Sequence, residues 1–284
     1  MENWGRRTNL DETCNNGDDL VHLLQKIDWS KQHIEINKLL SLWMLGPHER
    51  DAVIAKSAFE HGDINYKALI ELYCGRKSSH LLLIKQAYQA KFRRNLDHDI
   101  ISVEPSSPYQ KILIALATSH KSHQTDVSQH ISRCDARRLY ETGEGRRGAI
   151  EESVVLEIFS KRSIPQMKLT FFTYKQIYGH DYTKALKKGA NGEFGDALSV
   201  VVKCLYKPSK YYGKILFGSI KGRIADKGAL IRVLMSRDDT VMEEIPSEIR
   251  RKYGMELVDA ICESIPSGDC RDFLVALVGT GLST

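Results

Sequence analysis

The stretch Ala229-Leu230-Ile231-Arg232-Val233-Leu234-Met235-Ser236-Arg237 has two gapless counterparts earlier in the chain. They are Ala68-Leu69-Ile70-Glu71-Leu72-Tyr73-Cys74-Gly75-Arg76 and Val154-Val155-Leu156-Glu157-Ile158-Phe159-Ser160-Lys161-Arg162. The register continues beyond the closing arginines. Sixteen residues on stand Phe92, Tyr178 and Tyr253; twenty on, Leu96, Tyr182 and Leu257; twenty-four on, Ile100, Leu186 and Ile261. The arginines are 86 and 75 residues apart, so one unit of about 75–85 residues occurs three times. Each copy closes on an apolar run: Ile112 to Leu116, Ala197 to Val202 and Phe273 to Leu277.

Inside the unit, apolar residues recur three and four apart, as in Leu81, Ile84, Tyr88 and Phe92 or Leu169, Phe172 and Ile177. Glycine and proline interrupt these stretches at Gly75, Gly179, Pro208 and Gly254. The pattern predicts an all-α fold, roughly five short helices per unit and almost no sheet. Simple helix-pair arrays have shorter periods, about 34 or about 40–47 residues, and are excluded. A partial unit precedes the first complete one. Asp19 to Leu24 resembles Glu256 to Ile261, and Lys38 to Pro47 matches Ala197 to Pro208 in character. The expected organisation is a polar, disordered leader at 1–16, a partial repeat at 17–60, and full repeats at 61–132, 133–218 and 219–284.

Composition narrows the function classes. The 284 residues carry 41 Lys and Arg against 36 Asp and Glu, a net charge of +5, and are 42% hydrophobic. That mixture excludes collagen, a disordered polyampholyte and a membrane bundle. No stretch approaches the ~20 apolar residues of a spanning helix, and Met1 to Leu20 lacks the apolar core of a signal peptide. The six cysteines are scattered with no CxxC pair, which reads as free thiols in a reducing compartment. The expected location is cytoplasmic, peripheral at membranes.

Three segments carry a family resemblance. Leu42-Trp43-Met44-Leu45-Gly46-Pro47-His48-Glu49-Arg50-Asp51-Ala52, Asp226-Lys227-Gly228-Ala229-Leu230-Ile231-Arg232-Val233 and Ser267-Gly268-Asp269-Cys270-Arg271-Asp272-Phe273-Leu274 are similar to annexins, those of plants in particular. The resemblance runs in register over roughly residues 17–280. It implies five-helix repeats in a curved, right-handed superhelix, whose convex face holds calcium ions that bridge to acidic phospholipid headgroups. The family's calcium loop is Lys-Gly-x-Gly-Thr, completed by a bidentate acid about 40 residues later.

Against that pattern every site is incomplete. The last repeat reads Lys221-Gly222-Arg223-Ile224-Ala225-Asp226, with Ile224 and Ala225 in place of the second Gly and the Thr. Its acid position falls at Ser264, with Glu263 adjoining. The third repeat has Gly143-Glu144-Gly145-Arg146-Arg147-Gly148-Ala149, and Gly189 at the acid position. The second has no glycine loop at Gly62-Asp63-Ile64-Asn65-Tyr66, though Glu104 lies near its acid position. Gly222, Ile224 and Glu263 are therefore expected either to form a degenerate calcium site or to be ordinary loop residues. Losing a bidentate acid removes two of six to eight oxygens, so calcium, the family's cofactor, should bind weakly or not at all. Arg146, Arg147, Lys221 and Arg223 fall on loops expected to face the membrane, each worth about 1 kcal/mol beside an anionic bilayer. Ile224 would dip into the headgroups. Cys74 and Cys204 match a pair to which a redox role is ascribed in plant annexins; as small buried residues they are equally explained by core packing.

No enzyme signature is present: no HExxH, GxSxG or Walker loop occurs, and the spacing of His120, His123 and His130 is not that of metal ligands. Lys91-Phe92-Arg93-Arg94 and Arg250-Arg251-Lys252-Tyr253 mix basic and aromatic residues, as RNA-binding segments do. Their equivalent helix positions point instead to a core aromatic with solvated flanks, so a nucleic-acid partner is disfavoured. The expected partner is an acidic phospholipid surface, the alternative a calcium-independent or RNA-binding scaffold, and self-association is left open.

Overall fold

A computed structural model describes residues 34–60, 63–119, 127–146, 150–189, 192–223, 228–235 and 239–279. Among them every regular element is an α-helix. After α1 (Ile34–Trp43) come α2 (Pro47–Ser57), α3 (Tyr66–Gly75), α4 (Ser78–Phe92), α5 (Leu96–Ile101) and α6 (Pro108–Ser119). A second set follows: α7 (Gln129–Glu141), α8 (Glu152–Lys161), α9 (Ile164–Tyr178), α10 (Tyr182–Gly189) and α11 (Glu193–Tyr206). The third set is α12 (Pro208–Ile220), α13 (Gly228–Met235), α14 (Asp239–Tyr253), α15 (Leu257–Ser264) and α16 (Asp269–Gly279).

In each set the first helix packs most extensively on the third: α2 on α4, α7 on α9 and α12 on α14. The first helices start at Pro47, Gln129 and Pro208, so α2 and α12 begin ahead of positions 61 and 219 and pack on α4 and α14 beyond them. Proline suits two of these starts because the first helical amide has no intrahelical acceptor to lose. The polar leader and the Asp19 to Leu24 segment lie outside the described residues.

The repeating residues have physical roles. Arg76 and Arg162, which set the register, close a fork on a buried aspartate of the first helix in their own set. Arg76 Nε and Nη2 donate to Asp51 at 2.5 and 3.0 Å, and Arg162 does the same to Asp135 at 2.6 and 3.0 Å. Such bidentate pairing fixes orientation as well as charge. Phe92, Tyr178 and Tyr253 each end the third helix, where Tyr253 stacks on Phe217 at 3.8 Å and Tyr178 on Tyr140 at 4.1 Å. The next residue turns left-handed in all three sets: Arg93 at φ 57°, Gly179 at 75° and Gly254 at 66°. Its amide donates to the carbonyl four residues back, closing the helix. Leu96, Tyr182 and Leu257 then open the fourth helix, fully buried.

Helices α3, α6, α8 and α11 form the centre: α3 packs on α6 and α11, and α6 packs on α8 and α11. Ala68 through Cys74 are buried without a break, and α11 is buried from Val200 to Val202 and again at Cys204 and Leu205. A helix apolar all round belongs in a core rather than at a surface. Two buried polar links tie the third set to the rest. Arg232 Nε of α13 donates to Glu71 of α3 at 2.8 Å, and the Tyr211 hydroxyl donates to the same carboxylate at 3.0 Å. Burial, then the charges around it, pushes the Tyr211 phenol far above its usual range, so it stays a donor. Arg50 donates to the carbonyls of Leu42, Trp43 and Leu45 at the end of α1, and to Met235 at the end of α13. One guanidinium thereby satisfies orphan acceptors of two helix ends.

Candidate functional site

The turn after α12 is built by three backbone bonds. The amides of Lys221, Gly222 and Arg223 donate to Phe217, Ser219 and Gly218, the last at 2.7 Å. Gly222 adopts φ 64°, a conformation that disfavours any side chain. Across the turn stands Glu263, next to last in α15. The Lys221 ammonium holds its carboxylate at 2.7 Å. The lysine is largely covered, at 19% side-chain exposure, whereas Glu263 is open at 58%. Ile224 lies outside the described residues.

A calcium ion needs six to eight oxygens and a surplus of negative charge. Glu263 is one carboxylate already neutralised by an ammonium, and no cluster of three or more His, Cys, Asp or Glu occurs among the described residues. Among the described residues this turn offers one carboxylate, and the Lys221 ammonium is tied to it. Arg223 remains exposed.

The loop between α7 and α8 has a different chemistry. The amides of Gly143 and Gly145 both donate to the Tyr140 carbonyl, at 3.2 and 2.8 Å. A Cβ at Gly145 would sit 2.6 Å from the Tyr140 ring, so glycine is required there for space. Glu144 turns inward, to His180 Nε2 at 3.0 Å and the Tyr174 hydroxyl at 3.3 Å. Burial and the Glu144 charge push the Tyr174 phenol well above its ordinary value. Arg146 is 73% exposed and 3.8 Å from Glu151. Arg147 lies outside the described residues. In the α2–α3 loop, Asn65 caps α3 by accepting from the Ala68 amide at 3.1 Å, and Glu104 is exposed beyond α5.

Sequence reading missed His180 and Tyr174. They contact Glu144 from 36 and 30 residues away, and no local spacing announces that. Cys74 and Cys204 are buried on the packed helices α3 and α11. In the basic-aromatic segments the aromatics are occupied: Phe92 lies 5.1 Å from Tyr88, and Tyr253 stacks on Phe217. Arg250 and Arg251 pair with Glu256 and Glu248.

Among the described residues, three five-helix sets preceded by α1, with surface loops at corresponding corners, define an α-helical repeat protein of the superhelical class. Comparison with known proteins makes this specific. The Annexin family model matches residues 50–116 and 134–201, each running from the first to the fifth helix of a set. Human annexin A13 is 32% identical over 232 residues, 82% of this chain and 72% of that protein. Annexin D2 of Arabidopsis thaliana is 31% identical over 265 residues, 93% of this chain and 81% of its own. The solved structure of annexin III superposes with a TM-score of 0.76 at 30% identity, covering 92% of this chain and 78% of that one. The chain belongs to the annexin family. Annexins bind calcium and acidic phospholipid membranes and are generally not enzymes. Among the described residues no helix is long and apolar enough to cross a membrane.

Proposed function

We propose that this annexin is a peripheral binder of acidic phospholipid surfaces on the cytoplasmic side, attached by its basic loops rather than by calcium. The observation that carries the reading is the Lys221–Glu263 pair at 2.7 Å, which sets a cation of the chain on the carboxylate that would complete the last loop's site. Glu144, the acid of the α7–α8 loop, is likewise committed to His180 and Tyr174. Arg146 and Arg223 remain exposed at corresponding corners of two sets, Arg146 lying 3.8 Å from Glu151. Each basic residue near an anionic surface contributes about 1 kcal/mol and loses it beyond a Debye length.

Co-sedimentation with phosphatidylserine vesicles tests this directly. Pelleting should be equal in chelator and in micromolar calcium, and should fall as salt is raised. Pelleting that requires micromolar calcium refutes it, as does a calorimetric calcium titration with a micromolar Kd.

A further inference from the structure

Where the third helix set meets the first two, α3, α10, α11, α12, α13 and α14 enclose a cleft of about 700 Å³. That volume is within the range of small-molecule sites. Half of its lining residues are Lys or Arg, against the two carboxylates Glu71 and Asp181. Both carboxylates are already used. Glu71 takes Arg232 at 2.8 Å, and Asp181 takes Lys207 at 2.8 Å and Lys175 at 3.7 Å.

Lys67, Lys187, Lys203, Lys210, Lys214 and Arg223 therefore face the cleft with no ion pair to any described residue. Their mutual repulsion is felt at Lys203. Its pKa is lowered first by partial burial of the ammonium and then by the charges of Lys214 and Lys187. Gathering like charges in a concave, partly desolvated space costs folding energy, and low-dielectric walls concentrate their field on whatever enters. The rest of the lining is apolar or hydroxylic: Val200, Val202, Tyr206 and Thr183.

We infer that this cleft is a binding site for a compact polyanion carrying several phosphate groups, sharing only Arg223 with the loops that would meet a bilayer. Lysines drawn from four helices suit a ligand whose charges point in several directions. Mobile ammonium groups bind phosphates as point charges and need no fixed fork geometry. The phosphates could belong to a soluble inositol polyphosphate or to a phosphoinositide headgroup.

The test is calorimetric titration with inositol hexakisphosphate, run beside sedimentation with vesicles containing phosphatidylinositol bisphosphate. Variants are Lys203→Gln/Lys214→Gln, and Lys161→Gln/Lys168→Gln as a control on exposed lysines outside the cleft. Saturable one-to-one binding, weakened at least about tenfold in the first variant and unchanged in the control, is the expected result. The arm with the tighter binding names the source. No saturable binding in either arm, or an equal loss in both variants, overturns the inference. Phosphatidylserine attachment is measured separately, so failure here leaves the membrane reading standing, and the reverse holds.

Discussion

Replacing Arg232 by methionine isolates the energetics that hold the third helix set against the first. Glu71 is fully buried, and Arg232 is 7% exposed at its side chain. Removing the guanidinium leaves a buried carboxylate with the Tyr211 hydroxyl at 3.0 Å and no countercharge at the position Arg232 filled. Breaking a buried pair in this one-sided way costs about 3–5 kcal/mol, because the remaining charge keeps its desolvation penalty and loses its compensation. At the size of this chain that corresponds to a fall in Tm of about 5–8 °C. Urea unfolding followed by far-ultraviolet circular dichroism reads the loss as a lower midpoint at unchanged slope. The double variant Glu71→Leu/Arg232→Met removes both charges, and should recover stability to within about 1–3 kcal/mol of the parent, the remainder being the Tyr211 hydroxyl left without its acceptor. A single variant as stable as the parent, or a double variant no better than the single, refutes the reasoning.

Other outcomes follow from the same geometry. Arg93→Gly should raise stability by up to about 1 kcal/mol, since Arg93 alone of the three aligned helix ends takes the left-handed turn with a side chain; thermal melts check it. Stability should fall on acidification through the Asp99 pKa. Burial raises that pKa, but the hydrogen bonds from Arg94 and Tyr88 and the Arg94 charge outweigh it and leave it lowered. The stabilisation is thus present above the unfolded aspartate value of about 3.9 and is lost below it, and Asp99→Asn should flatten a pH series of unfolding midpoints. Cys134 and Cys262 should react with a thiol reagent in the native protein, whereas buried Cys74 and Cys204 should react only as fast as the fold opens. Rapid native labelling at Cys74 or Cys204 would favour a redox role over packing.

The fold was legible because its determinants are local and recur. Arg76 and Arg162 lock the first helix to the segment that follows the second, and Phe92, Tyr178 and Tyr253 sit one residue before the left-handed turn. Each leaves a mark at a constant offset. Helix pairing leaves a weaker one, since α2 and α12 join sets whose signature begins a helix later. Contacts between loops leave none. Lys221 reaches Glu263 across 42 residues, and neither flanking sequence carries the other's periodicity. The basic cleft is still less visible: Lys67, Lys187, Lys203 and Lys214 read as solvated flanks of four separate helices until packing turns them to one space.

The Lys221–Glu263 contact has a consequence for information rather than affinity. An ion that arrives by diffusion reports its own concentration, so a loop waiting for it is a sensor. A positive charge carried on the chain is present at fixed stoichiometry from the moment of folding. It cannot be chelated, competed for or pulsed. On the reading proposed here, a corner that elsewhere in the family answers a transient has become a permanent part of the surface, and any control over attachment must come from the lipid or from what fills the cleft.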